Sequence, residues 1–405
     1  MQCRYVRVID TAKPDEPVVA AGSSVAVIQL PPGVEVKIGD ILEVDLDVEG
    51  KPAPSRVVAR PTAPFDPEGD ALRWRRPGHA TSRRRRLELR HLAIKAIRGY
   101  FDDQGFIEVQ APLMIRGTCP DLHVDSFQVG AGYLTTSTEY QLKRMVVGGF
   151  ERVYTLGANF RPNESSERHN PEFTMLEWAR VGASLEDIER DAEMLVFAAV
   201  RAIHNACDDS SIRQAAVSLL QGPWRRVTVR QALEEQLGLH VDDSFSHEIL
   251  KAENARLGLE VPESIAENRG DLLSFLIDMA QRQLGQDAPI FLVDWPAFMT
   301  ASAAKKPGRP ELTDRSELVI RGLEISDGFP WIGDGPKQAA HFEEALGHRR
   351  AMGKPEVRLD SKYLAALGQG MPPGAGMALG IDRLMMTLLA ADDIRDVSAF
   401  VWDEV

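Results

Sequence analysis

Short apolar runs, partly alternating with polar residues, open the chain. Tyr5-Val-Arg-Val-Ile9, Ser24-Val-Ala-Val-Ile-Gln-Leu30 and Ile41-Leu-Glu-Val-Asp-Leu-Asp-Val48 are rich in β-branched side chains and are punctuated by Pro-Pro-Gly and Gly-Asp. The pattern predicts strands of a small all-β barrel or sandwich over residues 1–65, too short to build a robust core alone. Residues 66–81 are rich in Pro and Gly with mixed charge and read as a linker, which leaves 82–405 as the main domain.

Beyond the linker the period becomes helical. Leu89, Leu92, Ala93, Ala96 and Tyr100 recur at helical spacing, with Thr81 or Ser82 as cap and Gly105 as stop. A strand at 106–109 precedes Pro112. The box Ser184-x-x-Asp187 starts a second amphipathic helix over 184–204, with Ile188, Leu195, Ala199 and Ala202 on its apolar face. Further strands are predicted at 153–156, 173–178, 290–293, 317–325 and 377–379, the last running into a helix near Ile381. Strands in runs with helices between them predict an α+β fold, an antiparallel sheet with helices packed on it.

Composition narrows the class. The 405 residues are 44% apolar and 26% charged, as in ordinary globular proteins, which argues against disorder, collagen and coiled coil. There is no uncharged apolar stretch long enough for a transmembrane helix. The N-terminus lacks the features of a secretory signal. Three scattered cysteines, Cys3, Cys119 and Cys207, suit neither a disulfide framework nor a zinc cluster, so a reducing cytoplasm is expected. The net charge of −13 does not suggest a protein coated for nucleic acid. Residues 71–100 run the other way, with ten basic side chains against Glu88 alone. They read either as a solvated helix start or as a contact for phosphate or an acidic partner.

Several catalytic signatures fail. Gly374-x-Gly376-x-x-x-Gly380 has the wrong spacing for a dinucleotide loop, and there is no phosphate loop, nucleophile elbow or His-Glu-x-x-His pair. His123 and Asp125 form a short-spaced pair read as structural. Three separated segments carry chemistry instead. They are Gly105-Phe-Ile-Glu-Val-Gln-Ala-Pro112-Leu, the stretch from Val153 through Phe160-Arg161 and a charged loop to Pro171-Glu-Phe173 and Trp178, and Gly376-Met-Ala-Leu-Gly380-Ile-Asp382-Arg383. The second suits a ligand with a triphosphate and a flat ring, and the third suits a phosphate.

Together these segments resemble motifs 1, 2 and 3 of class II aminoacyl-tRNA synthetases over about residues 82–402. Glu139-Tyr-Gln-Leu-Lys-Arg144, Arg168-His169-Asn-Pro-Glu-Phe-Thr-Met-Leu-Glu177-Trp178 and Met371-Pro-Pro are similar to the lysyl-tRNA synthetase branch. Within it, Asp121-x-His123, the closing Leu-Glu-Trp and Ala378 resemble the stand-alone group that attaches (R)-β-lysine to elongation factor P. Residues 1–60 weakly resemble a shortened, OB-like anticodon-binding barrel, which those stand-alone ligases lack. The resemblance implies the class II catalytic domain, ATP and Mg²⁺ as cofactors, and, because motif 1 lies at a two-fold interface in the family, a homodimer. It assigns Arg161 to the substrate carboxylate and α-phosphate, Arg383 to the γ-phosphate with help from Arg168 or His169, and Phe173 to stacking under adenine with Glu164 beside the base. Glu317 and Glu324 become the Mg²⁺ pair and Glu139 the acceptor of the substrate amine. The usual Phe-Arg-x-Glu of motif 2 is stretched to Phe160-Arg161-Pro162-Asn163-Glu164.

The side-chain pocket departs from the lysine pattern. Ala179 stands where the branch carries Tyr, Asp327 where it carries Asn, and Trp331 where it carries Glu, whereas Glu177 matches. The missing Tyr and Glu are the groups expected to hold a distal ammonium, and losing the partner of a buried charge costs about 3–5 kcal/mol, more than the roughly 1–2 kcal/mol a Trp face returns. Ordinary α-lysine is therefore expected to be a poor substrate. The favoured function is an ATP-dependent ligase that passes an activated amino acid to a protein, elongation factor P-like, or to a small molecule. A tRNA-charging enzyme and a non-catalytic amino-acid sensor are the alternatives.

Overall fold

The computed structural model describes residues 5–13, 16–21, 24–46, 52–64, 83–121, 124–207, 209–220, 222–300 and 302–405. The linker at 66–81, the caps Thr81 and Ser82, and His123 lie outside them.

The N-terminal strands are β1 (Tyr5–Asp10), β2 (Val18–Ala21), β3 (Ser24–Val27), β4 (Ile41–Leu46) and β5 (Pro52–Ala59). They form one antiparallel sheet in the order β3-β2-β1-β4-β5, the small all-β unit expected. Sequence pattern missed β2 and β5, because Ala and Pro dilute the β-branched signal there. The buried core of this unit consists of Val6, Val8, Val19, Ile28, Leu42 and Val44.

The remainder is built on a mixed sheet of β6 (Ile107–Glu108), β10 (Arg152–Phe160), β11 (Glu172–Val181), β12 (Arg225–Thr228), β13 (Ile290–Pro296), β14 (Lys305–Lys306), β15 (Arg309–Ile320), β16 (Leu323–Pro330) and β17 (Gly374–Gly380). Their order is β12-β13-β15-β16-β17-β11-β10-β6, with β14 beside β15. The six central strands are antiparallel, and each outer strand joins in parallel. A separate small sheet holds β7 (Met114–Ile115), β8 (Gln128–Val129) and β9 (Gly132–Leu134). Among the described residues this part has eleven α-helices: α1 (Arg83–Asp103), α2 (Glu139–Val147), α3 (Leu185–Ala206), α4 (Ser210–Ser218), α5 (Val229–Leu237), α6 (His247–Leu257), α7 (Glu263–Ala266), α8 (Arg269–Gln281), α9 (Gly335–Ala351), α10 (Ser361–Leu367) and α11 (Ile381–Leu388). Among the described residues no helix is long and apolar enough to cross a membrane.

The period-2 rule fixes which sheet face carries chemistry. Tyr154, Trp178 and Met377 are paired across β10, β11 and β17 and enter the core against α1, α3 and α11. One residue along, Thr155, Glu177, Ala378, Asp327 and Glu317 form a polar row across five strands. The core anchors this alternation. Phe101 stacks on Tyr154 at 4.4 Å and meets Trp178 edge-on at 5.7 Å. The buried stripe of α1 is Leu89, Ala93, Ile97 and Phe101. The larger Ile97 and Phe101 therefore face inward in place of the expected Ala96 and Tyr100. Ser184 and Asp187 form the capping box of α3 as expected.

One strand assignment is corrected. Residues 317–325 are not a single strand but two, β15 and β16, joined at Arg321 and Gly322. Both residues have positive φ, 51° and 74°, which is the signature of a tight type I′ hairpin turn.

Candidate active site

A cleft of about 900 Å³ lies over the polar row. Every site residue named from the sequence lines it except Glu317. At one end the motif 2 loop joins β10 to β11. Its extra residue, Asn163, takes φ 65°, a left-handed conformation that Asn tolerates better than most residues, and follows Pro162 as in a type II turn. The turn leaves Glu164 3.7 Å from Arg161. The Arg161 guanidinium lies 5.2 Å over the Phe173 ring. Among the described residues its buried Nε has no hydrogen-bond partner. A buried, unspent donor costs free energy until an acceptor arrives, so this end is built for an anion.

Arg383 enters from the first turn of α11, just after β17. It donates to the Glu324 carbonyl at 3.1 Å and lies 3.5 Å from the Glu324 carboxylate. Its Nη2 also donates to His169 Nε2. A guanidinium has no acceptor, so Nε2 is the bare nitrogen and Nδ1 carries the hydrogen that reaches Ser166 Oγ at 2.9 Å. Burial, then the Arg383 charge, pulls the His169 pKa down to about 4, so the ring is neutral at pH 7. Arg168 stands exposed at the rim. Behind this end, Asp382 accepts from Thr174 N at 2.7 Å and pairs with Arg90 of α1 at 2.6 Å. One carboxylate thus ties the neighbour of Phe173 to the neighbour of Arg383.

The middle of the floor is a charge network. Arg315 donates to Asp327 at 2.8 Å and to Glu317 at 2.7 Å, and its guanidinium sits 4.3 Å over Trp295. Glu317 is 3% exposed and lies beneath the floor rather than in the cleft wall. Burial and the neighbouring Glu324 push its carboxyl well above the usual range. Glu324 itself lines the cleft. The hairpin correction explains their relation: seven positions apart in sequence, they sit on adjacent strands, with Glu317 opposite Asp327 and Glu324 opposite Val319.

At the far end the groups are self-satisfied. Glu177 accepts from Thr138 N at 2.5 Å and from the hydroxyls of Ser137 and Thr138. Glu139 opens α2 and pairs with the buried Lys143 one turn on, whose ammonium lies 5.4 Å from the Phe329 ring. Trp331 packs with Ala179, Leu142, Val146 and Val153, and its Nε1 donates to Pro372 O at 2.9 Å.

The model of the family described as tRNA synthetases class II (D, K and N) matches residues 72–404. The chain belongs to this family. It is similar to the elongation factor P–(R)-β-lysine ligase of Vibrio cholerae, 34% identical over 325 residues that cover 78% of the chain and 94% of that protein. The enzyme of the same name from Vibrio vulnificus matches equally, at 34% with the same coverage. The lysine–tRNA ligase of Dehalococcoides mccartyi is 35% identical over 77% of the chain, but only 63% of that ligase is covered. The resemblance to the lysyl branch and to the stand-alone ligases is borne out. The chain is an ATP-dependent ligase of the class II synthetase type.

The sequence reading of this ligase missed Arg315 and Lys143, each the in-chain partner of a carboxylate it did name. The signal was local in both cases. Arg315 precedes Glu317 by two on a strand, which puts both on one face, and Lys143 follows Glu139 by four on a helix. The basic run of 71–100 is open to either reading from sequence, and its described arginines pair within the chain. Arg83 pairs with Glu404 at 2.6 Å, Arg84 and Arg85 with Glu88, and Arg86 with Asp396.

Proposed function

We propose that this ligase activates an amino acid as its adenylate and transfers it to a protein acceptor of the elongation factor P kind, with a small molecule as the other candidate. The observation that carries the proposal is Arg161, a half-buried guanidinium over an aromatic face whose buried Nε has no partner among the described residues. A planar fork can hold a carboxylate oxygen and an α-phosphate oxygen together, which brings nucleophile and electrophile into line. A carboxylate oxygen then bonds to the α-phosphorus as its bond to the bridging β-oxygen breaks, and pyrophosphate leaves with the electron pair. In the second step the acceptor nucleophile attacks the acyl carbon, loses its proton to solvent, and AMP departs.

In this reading Arg383, with His169 and Arg168 beside it, holds the γ-phosphate. Phe173 stacks on adenine with Glu164 near the base, and Glu139 receives the amine. Glu177, Ala179, Asp327, Trp331 and Ala378 shape the amino-acid end. Glu317 and Glu324 are the pair that would hold Mg²⁺. Hard carboxylate oxygens suit an ion that is also held by phosphates, and Glu317 and Glu324 stand on adjacent strands. When bound, Mg²⁺ neutralises the charge gathering on the departing pyrophosphate.

A homodimer is supported by the exposed apolar side chains Ile107, Leu113 and Met114 in and beside the motif 1 segment. The division into units at 1–65 and 82–405 is supported by two sheets that share no strand. Free Cys119 and Cys207 suit a cytoplasmic setting. The internal pairing of Arg83, Arg84, Arg85 and Arg86 weakens one of the two supports for tRNA charging, the other being the small N-terminal β unit. A pure sensor has no use for the carboxylate pair Glu317 and Glu324 proposed for the metal.

The test is ATP–pyrophosphate exchange without RNA, followed by transfer of labelled amino acid in the presence of elongation factor P or total tRNA. Exchange together with label on protein is expected. Label on RNA alone would move the function to tRNA charging, and amino-acid binding with no AMP formed would favour the sensor.

A further inference from the structure

We propose that the amino-acid end of the cleft selects an uncharged, apolar side chain, and that Trp331 and Ala179 are the specificity-determining pair. This rests on the ligase reading above and names its substrate class.

Two observations carry it. The first is charge. Three carboxylates at this end already have partners in the chain: Glu177 has Ser137 and Thr138, Asp327 has Arg315, and Glu139 has Lys143. A distal ammonium on the substrate would displace one of these or enter the recess unpaired. For a buried charge that amounts to on the order of 10²–10³-fold in affinity.

The second is shape. Ala179 and Trp331 belong to one packed apolar cluster, and both line the cleft. Trp331 is only 5% exposed, and its one polar atom is spent on Pro372 O. The ring is also fixed in place. A Cβ at Gly374 would lie 2.4 Å from its Cζ2, so the strand beneath is bare where the indole rests. The ring, the Ala179 methyl and the side-chain-free Gly376 paired with it all line the cleft, a stretch of wall that is flat or short and carries no charged group. Apolar surface placed there leaves water without stranding any polar group. Flat aromatic and compact aliphatic side chains match it.

Exchange by the full-length enzyme, with a panel of apolar, aromatic and basic amino acids in α- and β-amino forms, tests the idea. An apolar or aromatic member is expected to exceed both α-lysine and (R)-β-lysine by about 100-fold or more in kcat/KM. Trp331→Glu should raise lysine relative to the best apolar substrate by at least about tenfold, because a carboxylate there gains a partner only when a cation enters. Trp331→Phe keeps the wall apolar and should keep the wild-type order, which separates selectivity from folding. Either lysine at the head of the wild-type panel overturns the inference and leaves the ligase reading standing. Absence of exchange with every amino acid overturns both.

Discussion

The two ends of the cleft are built on opposite principles. At the motif 2 and motif 3 end, three arginines, Arg161, Arg168 and Arg383, line the cleft, and the Arg161 Nε has no partner among the described residues. At the Trp331 end, Glu177, Asp327 and Glu139 have in-chain donors and the wall around Trp331 is apolar. An unpaired buried donor is a cost that the bound ligand relieves, whereas a satisfied network contributes to the fold and asks little of the ligand. The first end is thus made for a fixed, highly charged molecule, and the second for a variable neutral one.

The largest effect that could break this contrast belongs to Arg161. Arg161→Ala removes both the carboxylate and the α-phosphate contact, and exchange is expected to fall by about 10³–10⁴, since losing one transition-state donor alone costs about 10²–10³. Arg161→Lys keeps the charge but loses the fork, so it should recover only part of the rate. The fall should appear in kcat for every amino acid, because this end does not read the side chain. A loss confined to one amino acid would mean that Arg161 serves the side-chain end instead.

Next in size is the clamp behind the charged end. Arg90 and Asp382 form a nearly buried pair at 2.6 Å, and Arg90 also donates to Thr174 Oγ1 at 2.9 Å. Arg90→Met strands the Asp382 carboxylate, at a cost of about 3–5 kcal/mol in stability. Because Asp382 adjoins Arg383 and Thr174 adjoins Phe173, KM for ATP should rise while the order of amino-acid preference stays fixed. Arg90→Met with Asp382→Asn should regain part of the stability, since the stranded charge is gone. A change in amino-acid preference would show that the two ends are mechanically coupled.

The same contrast explains what the sequence disclosed. The charged end was legible because its residues are contiguous: Arg161 to Phe173 is one loop, and Arg383 follows one strand. Periodicity found the strands beneath it, since one face is core and the other is cleft. The satisfied end depends on partners that sequence distance hides. Ser137 and Thr138 meet Glu177 some forty residues on, and Trp331 meets Ala179 across strands. The hairpin was lost for another reason. Arg321 is an unusual residue for a positive-φ position, so Arg-Gly did not read as a turn inside an apolar run. The arginine run at the start of α1 misled in the reverse direction, because its acids lie at the far end of the chain.

A smaller effect comes from His169. Its pKa of about 4 lies below the unperturbed value of about 6.5, so the unfolded chain binds more protons between these values. The stability due to the neutral ring is complete above about pH 6.5 and is lost as pH falls toward 4. Chemical denaturation of the ligand-free enzyme across that window should show a steeper loss for wild type than for His169→Gln, which cannot take up a proton. ATP should lessen the wild-type loss, because phosphate oxygens favour the protonated ring. Identical slopes for the two proteins would mean that His169 is not held neutral by Arg383.

The smallest effect is expected at Glu177, although it lies in the same row as the catalytic floor. Its carboxyl is raised by burial and is met by two hydroxyls and one amide. In Glu177→Gln the oxygen can keep the Thr138 amide, and the Ser137 hydroxyl can rotate to accept from the new NH₂. The network then remains satisfied with one fewer charge, so exchange with the best apolar substrate should change by less than about tenfold and stability by about 1 kcal/mol. A neutral occupant does not need the charge at Glu177, whereas a cationic one does. Were Glu177→Gln as damaging as Arg161→Ala, that carboxylate would be serving a substrate ammonium, and the far end would belong with the charged one.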